Sequence, residues 1–431
     1  MNPNRLSRRD FIISITSAFA ATLTSTAIQA DSESEYLRFS AWGTDKRAQL
    51  TAKALALFEN THPSVRIKSN FTDWLDYWRK LSTDAALGQT PDLIQMDFRY
   101  LAEYAHSGIL EPLDPFLGNL LDLESFGANN IDACRVDGQL YGVNLGINSL
   151  AAFYEIQRWQ KMEVEPPALG DSWDTFRDKC LQFASANSYE NYYPVMDCSG
   201  LETVFECWLL QRGKFLYHTD GSLGFAVSDV VEWFDFWAEL RSKQGCIPAD
   251  IQVLFKNSIE TSPITMGYSA MDFGHSNMMQ NYQDLNKHQL GITACPTLPD
   301  GEPGNYYKPS QMLSISADLK ADRLRKVVEL ANFLVMDPRA VLVLGLDRGI
   351  PASAKMRREL APKLNQTGKS TLAFIESLKP YTRPLPPLPP FGAGEVAIVL
   401  QRISHEIAYG VLTPEQGGQQ FIDESASILA R

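Results

Sequence analysis

Basic residues are scarce in this chain. Lys and Arg number 39 against 51 Asp and Glu, a formal net charge of -12 over 431 residues. Nucleic-acid binding needs a basic footprint, so that class of partner is excluded. The six cysteines, Cys134, Cys180, Cys198, Cys207, Cys246 and Cys295, form no CxxC spacing, which argues against a structural zinc site. No HExxH, no GxGxxG after a strand and no P-loop is present. The stretch GYSAM at Gly267–Met271 lacks the second glycine of a nucleophile elbow. His62, His106, His218, His275, His288 and His405 are scattered, with no pair at i and i+4 to hold a metal. No cofactor, no metal and no catalytic residue is expected. Long apolar runs are also missing, with one exception at the amino terminus.

What is present there is LSRRDFIISITSAFAATLTSTAIQA. Arg8 and Arg9, an apolar stretch and a small terminal residue are the three parts of a signal peptide. Ser-Arg-Arg-x-Phe-Ile resembles the twin-arginine export signal. The run from Phe11 to Ile28, about 18 residues, is near the length of a membrane span, but its Ser and Thr make it a poor one. The expectation is a signal over residues 1–30 and a mature chain from about Asp31 in the periplasm. A twin-arginine substrate folds before export, in a reducing compartment, so its fold does not depend on disulfides. Buried free thiols are expected, with Cys198–Cys207 the one bridge left open.

The full chain is 45% apolar and 21% charged, enough for a sizeable core, and its length suggests two or three domains. YLRFSAW alternates as a strand, and Thr44 or Asp45 can cap the helix after it. VRIKSNF alternates again, Thr72 and Asp73 can cap a second helix, and Gly88 ends it. TPDLIQMD is a third strand, and FRYLAEYAHSG a third helix. This βαβαβα order implies a sheet with helices on both faces and right-handed crossovers.

The stretch NFTDWLDYWRKL crowds four aromatics into Asn70–Leu81. Trp74, Trp78, Leu81 and Ala85 form one helical stripe, which predicts Trp78 in the core. Trp74 lies in the first turn, beside the carboxyl end of a strand, where ligands of open α/β sheets bind. For Trp74 and Tyr77, packing and ligand contact weigh equally.

The segment from LRFSAWGTDKRAQL through ALGQTPDLIQMD resembles the opening of the extracellular solute-binding proteins of ABC sugar importers, the maltose-binding-protein-like group. AEYAHSGILEPLDPFL, DGQLYGVNLGINSLAAFYE, SAMDFGHSNM, YYKPSQMLSIS and GLDRGIPAS follow in the family's order. The resemblance covers essentially the whole mature chain and leans toward members that take up oligosaccharides. It implies a two-lobed α/β periplasmic-binding-protein fold that closes over a sugar at an interlobe cleft. The first lobe would span 36–145 plus 310–360, the second 146–309 plus 361–431, with hinges near Leu145–Ser149 and Lys308–Gln311. The Pro-rich run Arg383–Gly392 reads as an extended brace in the second lobe, followed by a closing helix from about Glu395. The protein would act as a monomer, deliver a carbohydrate to the membrane subunits of an ABC permease, and not be an enzyme.

Candidate ligand contacts come from strand ends. Trp42 and Gly43 close the first strand; Asp45 and Arg47 open the next helix; Trp74 and Tyr77 follow the second strand. Asp97 and Arg99 follow the third, and Asn148 lies at the first crossing. Asp272, Phe273 and His275 end the apparent strand ITMGYSAM, and Tyr307, Lys308 and Arg348 complete the set. Each has an alternative: interlobe packing for Trp42, a helix cap for Asp45 and Asp97, a satisfied surface group for His275. Two rival functions remain: a periplasmic glycosidase using Asp97 and Asp272 as paired carboxylates, and a binding protein for a non-sugar solute. Arg47, Arg99, Lys308 and Arg348 suit an acidic sugar. Pairing of those bases with Asp45, Asp97, Asp272 and Asp347 suits a neutral one.

Overall fold

The computed structural model describes residues 36–256 and 258–431. The predicted signal segment, 1–30, lies outside them. Among the described residues, no helix is long and apolar enough to cross a membrane. The chain divides into two compact units. One runs to Gly146 and resumes over Pro309–Lys363; the other comprises Ile147–Lys308 and Leu364–Arg431.

The first unit is built on parallel strands β1 (Tyr36–Trp42), β2 (Arg66–Thr72) and β3 (Leu93–Met96). Each is followed by a helix: α1 (Asp45–Thr61), α2 (Trp74–Ala86) and α3 (Phe98–His106). The starts are set by side-chain caps. The Thr44 hydroxyl accepts from the Arg47 amide, Asp73 from the Asp76 amide and Asp97 from the Arg99 amide. The sheet order is β2-β1-β3, then strand Lys308–Ile315, then strand Val143–Asn148. Lys308–Ile315 runs antiparallel to β3, with Met312 opposite Met96. Asp92 is buried at the head of β3. It accepts from the Arg38 amide at 2.6 Å and from Arg323 Nε at 2.9 Å, pinning β1, β3 and helix Ala321–Met336 together.

β2 departs from the expected alternation: it is the edge strand, and most of its side chains are exposed or half-exposed. An edge has neither a neighbour on one side nor full helical cover, so the pattern there is weak.

The second unit centres on strand Leu150–Glu155, antiparallel both to Met271–His275 and to Leu290–Thr293. Around it, helices Trp173–Ala186, Glu202–Gln211 and Val227–Ser242 bury an aromatic core in which Trp173, Trp208, Trp233 and Trp237 touch edge to face or tilted. Trp208, Trp233 and Trp237 are therefore core. The strand expected over ITMGYSAM needs correction. Pro263–Met266 is a helical turn, closed by Gly267 at φ 80°, and the strand starts only at Met271. Proline at the first helical position and glycine after the last favour that turn. The closing helix spans Ala393–Ala408 and packs with Pro414–Leu429. All six cysteines are buried and free, so the bridge left open for Cys198–Cys207 is not formed.

Candidate functional site

At the carboxyl end of β1 the chain turns through Gly43 at φ 147°. A Cβ there would overlap the side chain of Arg47, so glycine is needed both for the angle and for the approach. Arg47 is held in place: its Nε donates to Asp347 Oδ2 at 2.6 Å and its Nη2 to the Asp347 carbonyl at 3.0 Å. Arg348 lies beside it, also buried. Its Nη2 donates to Thr51 Oγ1 at 2.8 Å and to Gln95 Oε1 at 3.2 Å, while Gln95 Nε2 donates to the Trp42 carbonyl at 3.2 Å. Burial, then the neighbouring Arg47 charge, pull the Arg348 guanidinium down to about 10, against the attraction of Asp347. Two predicted contact residues thus belong to a polar network inside the first unit.

Above that network sits an aromatic cluster. Trp42, Tyr77 and Trp78 are buried, and the Tyr77 hydroxyl donates to the Gln95 carbonyl at 2.6 Å. Trp74 is only half-buried and meets Trp42 edge-on, with centroids 5.0 Å apart. Tyr100, also half-buried, stacks on Trp78 at 3.9 Å and lies 6.3 Å from Trp74. Trp74 and Tyr100 are thus accessible rings on a fixed aromatic base. Near them, Asp97 is half-buried and caps α3, accepting from the Arg99 amide at 2.9 Å. The Thr72 hydroxyl at the end of β2 is buried with no hydrogen-bond partner. Arg99 is half-buried and Asp45 exposed in the first turn of α1.

In the second unit, His275 and Lys308 line one small pocket with Thr203, Asn305 and Tyr306. Asn148 donates to Asn277 Oδ1 at 2.8 Å, and the Ser149 amide to Ser276 Oγ at 3.2 Å, joining two strand ends. Three candidates do not reach the pocket wall. Tyr307 donates its hydroxyl to the Ile375 carbonyl at 2.6 Å, and Phe273 packs in the aromatic core. Asp272 is fully buried, accepting from Ser269 Oγ at 2.5 Å and the Ile264 amide at 3.0 Å. Burial pushes its carboxyl up to about 6, against the hydrogen bonds from Ser269, Ile264 and Ser262. A carboxylate so enclosed is a structural group, unsuited to one half of a hydrolytic pair.

The sequence reading missed Tyr100, Thr203, Asn305 and Tyr306. Tyr100 had a signal: like Trp74, it is an aromatic in the first turn of a helix that follows a strand, three residues past its cap Asp97 where Trp74 is one past Asp73. The others sit on a helix start and a two-residue strand that carry no periodic pattern.

The description of bacterial extracellular solute-binding proteins matches residues 53–367. The chain belongs to that family. A Brucella abortus (strain 2308) protein described as a binding protein is 22% identical to this solute-binding protein over 287 residues, 63% of the present chain. The chain spans 66% of that relative's length. Among solved structures, an extracellular solute-binding protein of Alicyclobacillus acidocaldarius is 29% identical, over 92% of this chain and 98% of that one, with a TM-score of 0.68. A periplasmic oligogalacturonide-binding protein of Yersinia enterocolitica, in complex with saturated digalacturonic acid, is 24% identical over 92% and 99%, with a TM-score of 0.83. The two-lobed α/β fold of this solute-binding protein is that of these structures.

Proposed function

We propose that this solute-binding protein captures a carbohydrate in the periplasm, after twin-arginine export, and delivers it unaltered to an ABC permease. The observation that carries the reading is the pair of accessible rings, Trp74 and Tyr100, on a buried aromatic base at the carboxyl ends of parallel strands. Sugars present patches of C–H that pack on aromatic faces, while their hydroxyls need acceptors and donors such as Asp97 and Thr72. The base matters because a ring already fixed by Trp42 and Trp78 loses little conformational entropy when a ligand lands on it. Cycloalternan and digalacturonic acid, bound by two proteins of similar fold, belong to the same ligand class.

Calorimetry against a panel of mono- and oligosaccharides tests this directly. Binding should be seen, with no cleavage products in the recovered ligand. Trp74→Ala should weaken it by one to a few kcal/mol, the scale of an aromatic contact in a binding site. Absence of heat across the panel, or full affinity in the Trp74 variant, would refute the reading.

A further inference from the structure

We infer that Gln95 is a positioning residue for the carbohydrate site: its side-chain amide ties the end of β1 to Arg348 and so fixes the aromatic base under Trp74 and Tyr100. The inference rests on the carbohydrate reading above.

The backbone pairing of β1 with β3 joins Phe39 to Leu93 and ends at Ser40 and Ile94, while its pairing with β2 runs on to Trp42 and Thr72. Past Ser40, side chains hold the β3 side of β1. The Tyr77 hydroxyl lies 3.3 Å from the Ser40 carbonyl and 2.6 Å from the Gln95 carbonyl. Gln95 Nε2 donates to the Trp42 carbonyl at 3.2 Å, one residue before the turn at Gly43. The other end of the same amide, Oε1, accepts from Arg348 Nε at 3.3 Å and Nη2 at 3.2 Å. A guanidinium can only donate and a carbonyl can only accept, so the amide has one workable orientation and serves both neighbours at once. Of its isosteres, ionised Glu supplies acceptors alone and Met supplies no donor.

Gln95 is fully buried, so it acts through what it holds. The Trp42 ring lies 5.0 Å from Trp74, 5.1 Å from Tyr77 and 5.5 Å from Trp78, and Trp78 stacks on Tyr100 at 3.9 Å. A shift at the end of β1 therefore reaches both accessible rings. Close-packed interiors transmit such a displacement, and a binding surface offset by about 0.5 Å loses affinity. The far end of the tie is firm. Arg348 is buried, donates to Thr51 Oγ1 at 2.8 Å and lies 3.9 Å from Asp347, and its carbonyl accepts from the Ser310 hydroxyl. Gly146 lets that loop lie close, since a Cβ there would stand 2.4 Å from the Arg348 carbonyl and 2.9 Å from the Ile350 carbonyl.

The test uses the mature chain, with calorimetry on mono-, di- and trisaccharides of glucose, galactose and galacturonate, and near-UV circular dichroism of the same samples. Gln95→Glu keeps an acceptor for Arg348 but sets a carboxylate oxygen against the Trp42 carbonyl. It should bind the sugars that the wild type binds at least about tenfold weaker, the scale of one buried polar group left unpaired. Its near-UV spectrum should change as the tryptophans move. Thr51→Val removes an acceptor from Arg348 and leaves the Gln95 amide in place. It should lower the melting temperature, yet keep the wild-type near-UV spectrum and an affinity within about twofold of wild type. A purely structural role would make affinity follow stability, and a positioning role separates them. Gln95→Glu binding as tightly as wild type would overturn the inference while leaving the carbohydrate reading standing. So would a Thr51→Val variant that loses as much affinity as Gln95→Glu. Should Gln95→Glu fail to fold, Gln95→Met, which frees the Trp42 carbonyl without adding charge, takes its place with the same expectation. If neither folds, Gln95 serves the fold and the inference falls. If the wild type binds none of these sugars, both readings fall.

Discussion

Asp347 carries more than its own share at the residue scale. It accepts from buried Arg47 at 2.6 Å and lies 3.9 Å from buried Arg348. Removing one partner of a buried ion pair strands the other, at about 3–5 kcal/mol. Asp347→Ala should therefore destabilise the protein by that amount, and by more than Arg348→Met, which takes away one of two like charges. Urea unfolding of both variants checks this; equal losses would contradict it. Asp272 gives a pH signature. Its folded carboxyl is raised, from 3.8 to about 6, so the folded state holds the proton more tightly than the unfolded chain. Its contribution is full below pH of about 4 and is lost as pH rises through about 6, on the order of 2–3 kcal/mol. Asp272→Asn cannot titrate. The melting temperature of this variant relative to wild type should rise between pH 4 and pH 7. A constant difference would show that Asp272 ionises in the fold as it does in water.

Among the elements, α2 shows two tryptophans four residues apart with different duties. Trp78 is buried between Trp42 and Tyr100, whereas Trp74 stays half-open at the helix start. Trp78→Ala should cost about 3–5 kcal/mol of stability, as for a large buried aromatic. Trp74→Ala should cost much less stability and act on ligand affinity instead. Paired melting and binding measurements separate the two; a Trp74 variant as unstable as the Trp78 variant would make both rings core. The helical stripe placed Trp78 correctly because burial follows the 3.6-residue period. It left Trp74 and Tyr77 undecided, since the first turn is where the period stops predicting what covers a side chain. The structure separates them: Tyr77 turns inward and bonds the Gln95 carbonyl, and Trp74 remains accessible.

For the whole molecule, the thiols and the ligand give global readouts. All six cysteines are buried and free, so a reductant should leave the melting temperature unchanged, and six thiols should react only after unfolding. A fall in melting temperature on reduction would reveal a bridge. A saturating sugar at about 100 times its dissociation constant should stabilise the fold by about 2.7 kcal/mol.

The sequence by itself determined the alternation of strands and helices and the absence of catalytic motifs, and it narrowed the helix starts to a few capping candidates from which the structure takes Thr44, Asp73 and Asp97. These are local or periodic properties, written in spacing and in side chains that bond their own backbone. It also carried the family, through motif order. Only the tertiary structure decided which charges are committed. Arg47 and Asp347 are 300 residues apart in the chain, and no local pattern records that they pair. Lys308 and Asn305 lie three residues apart, but the pocket they share exists only because a helix about a hundred residues earlier and the strand end at His275 close around them. A side chain's availability to a ligand is what remains after distant neighbours have been served, and that sum is made in three dimensions.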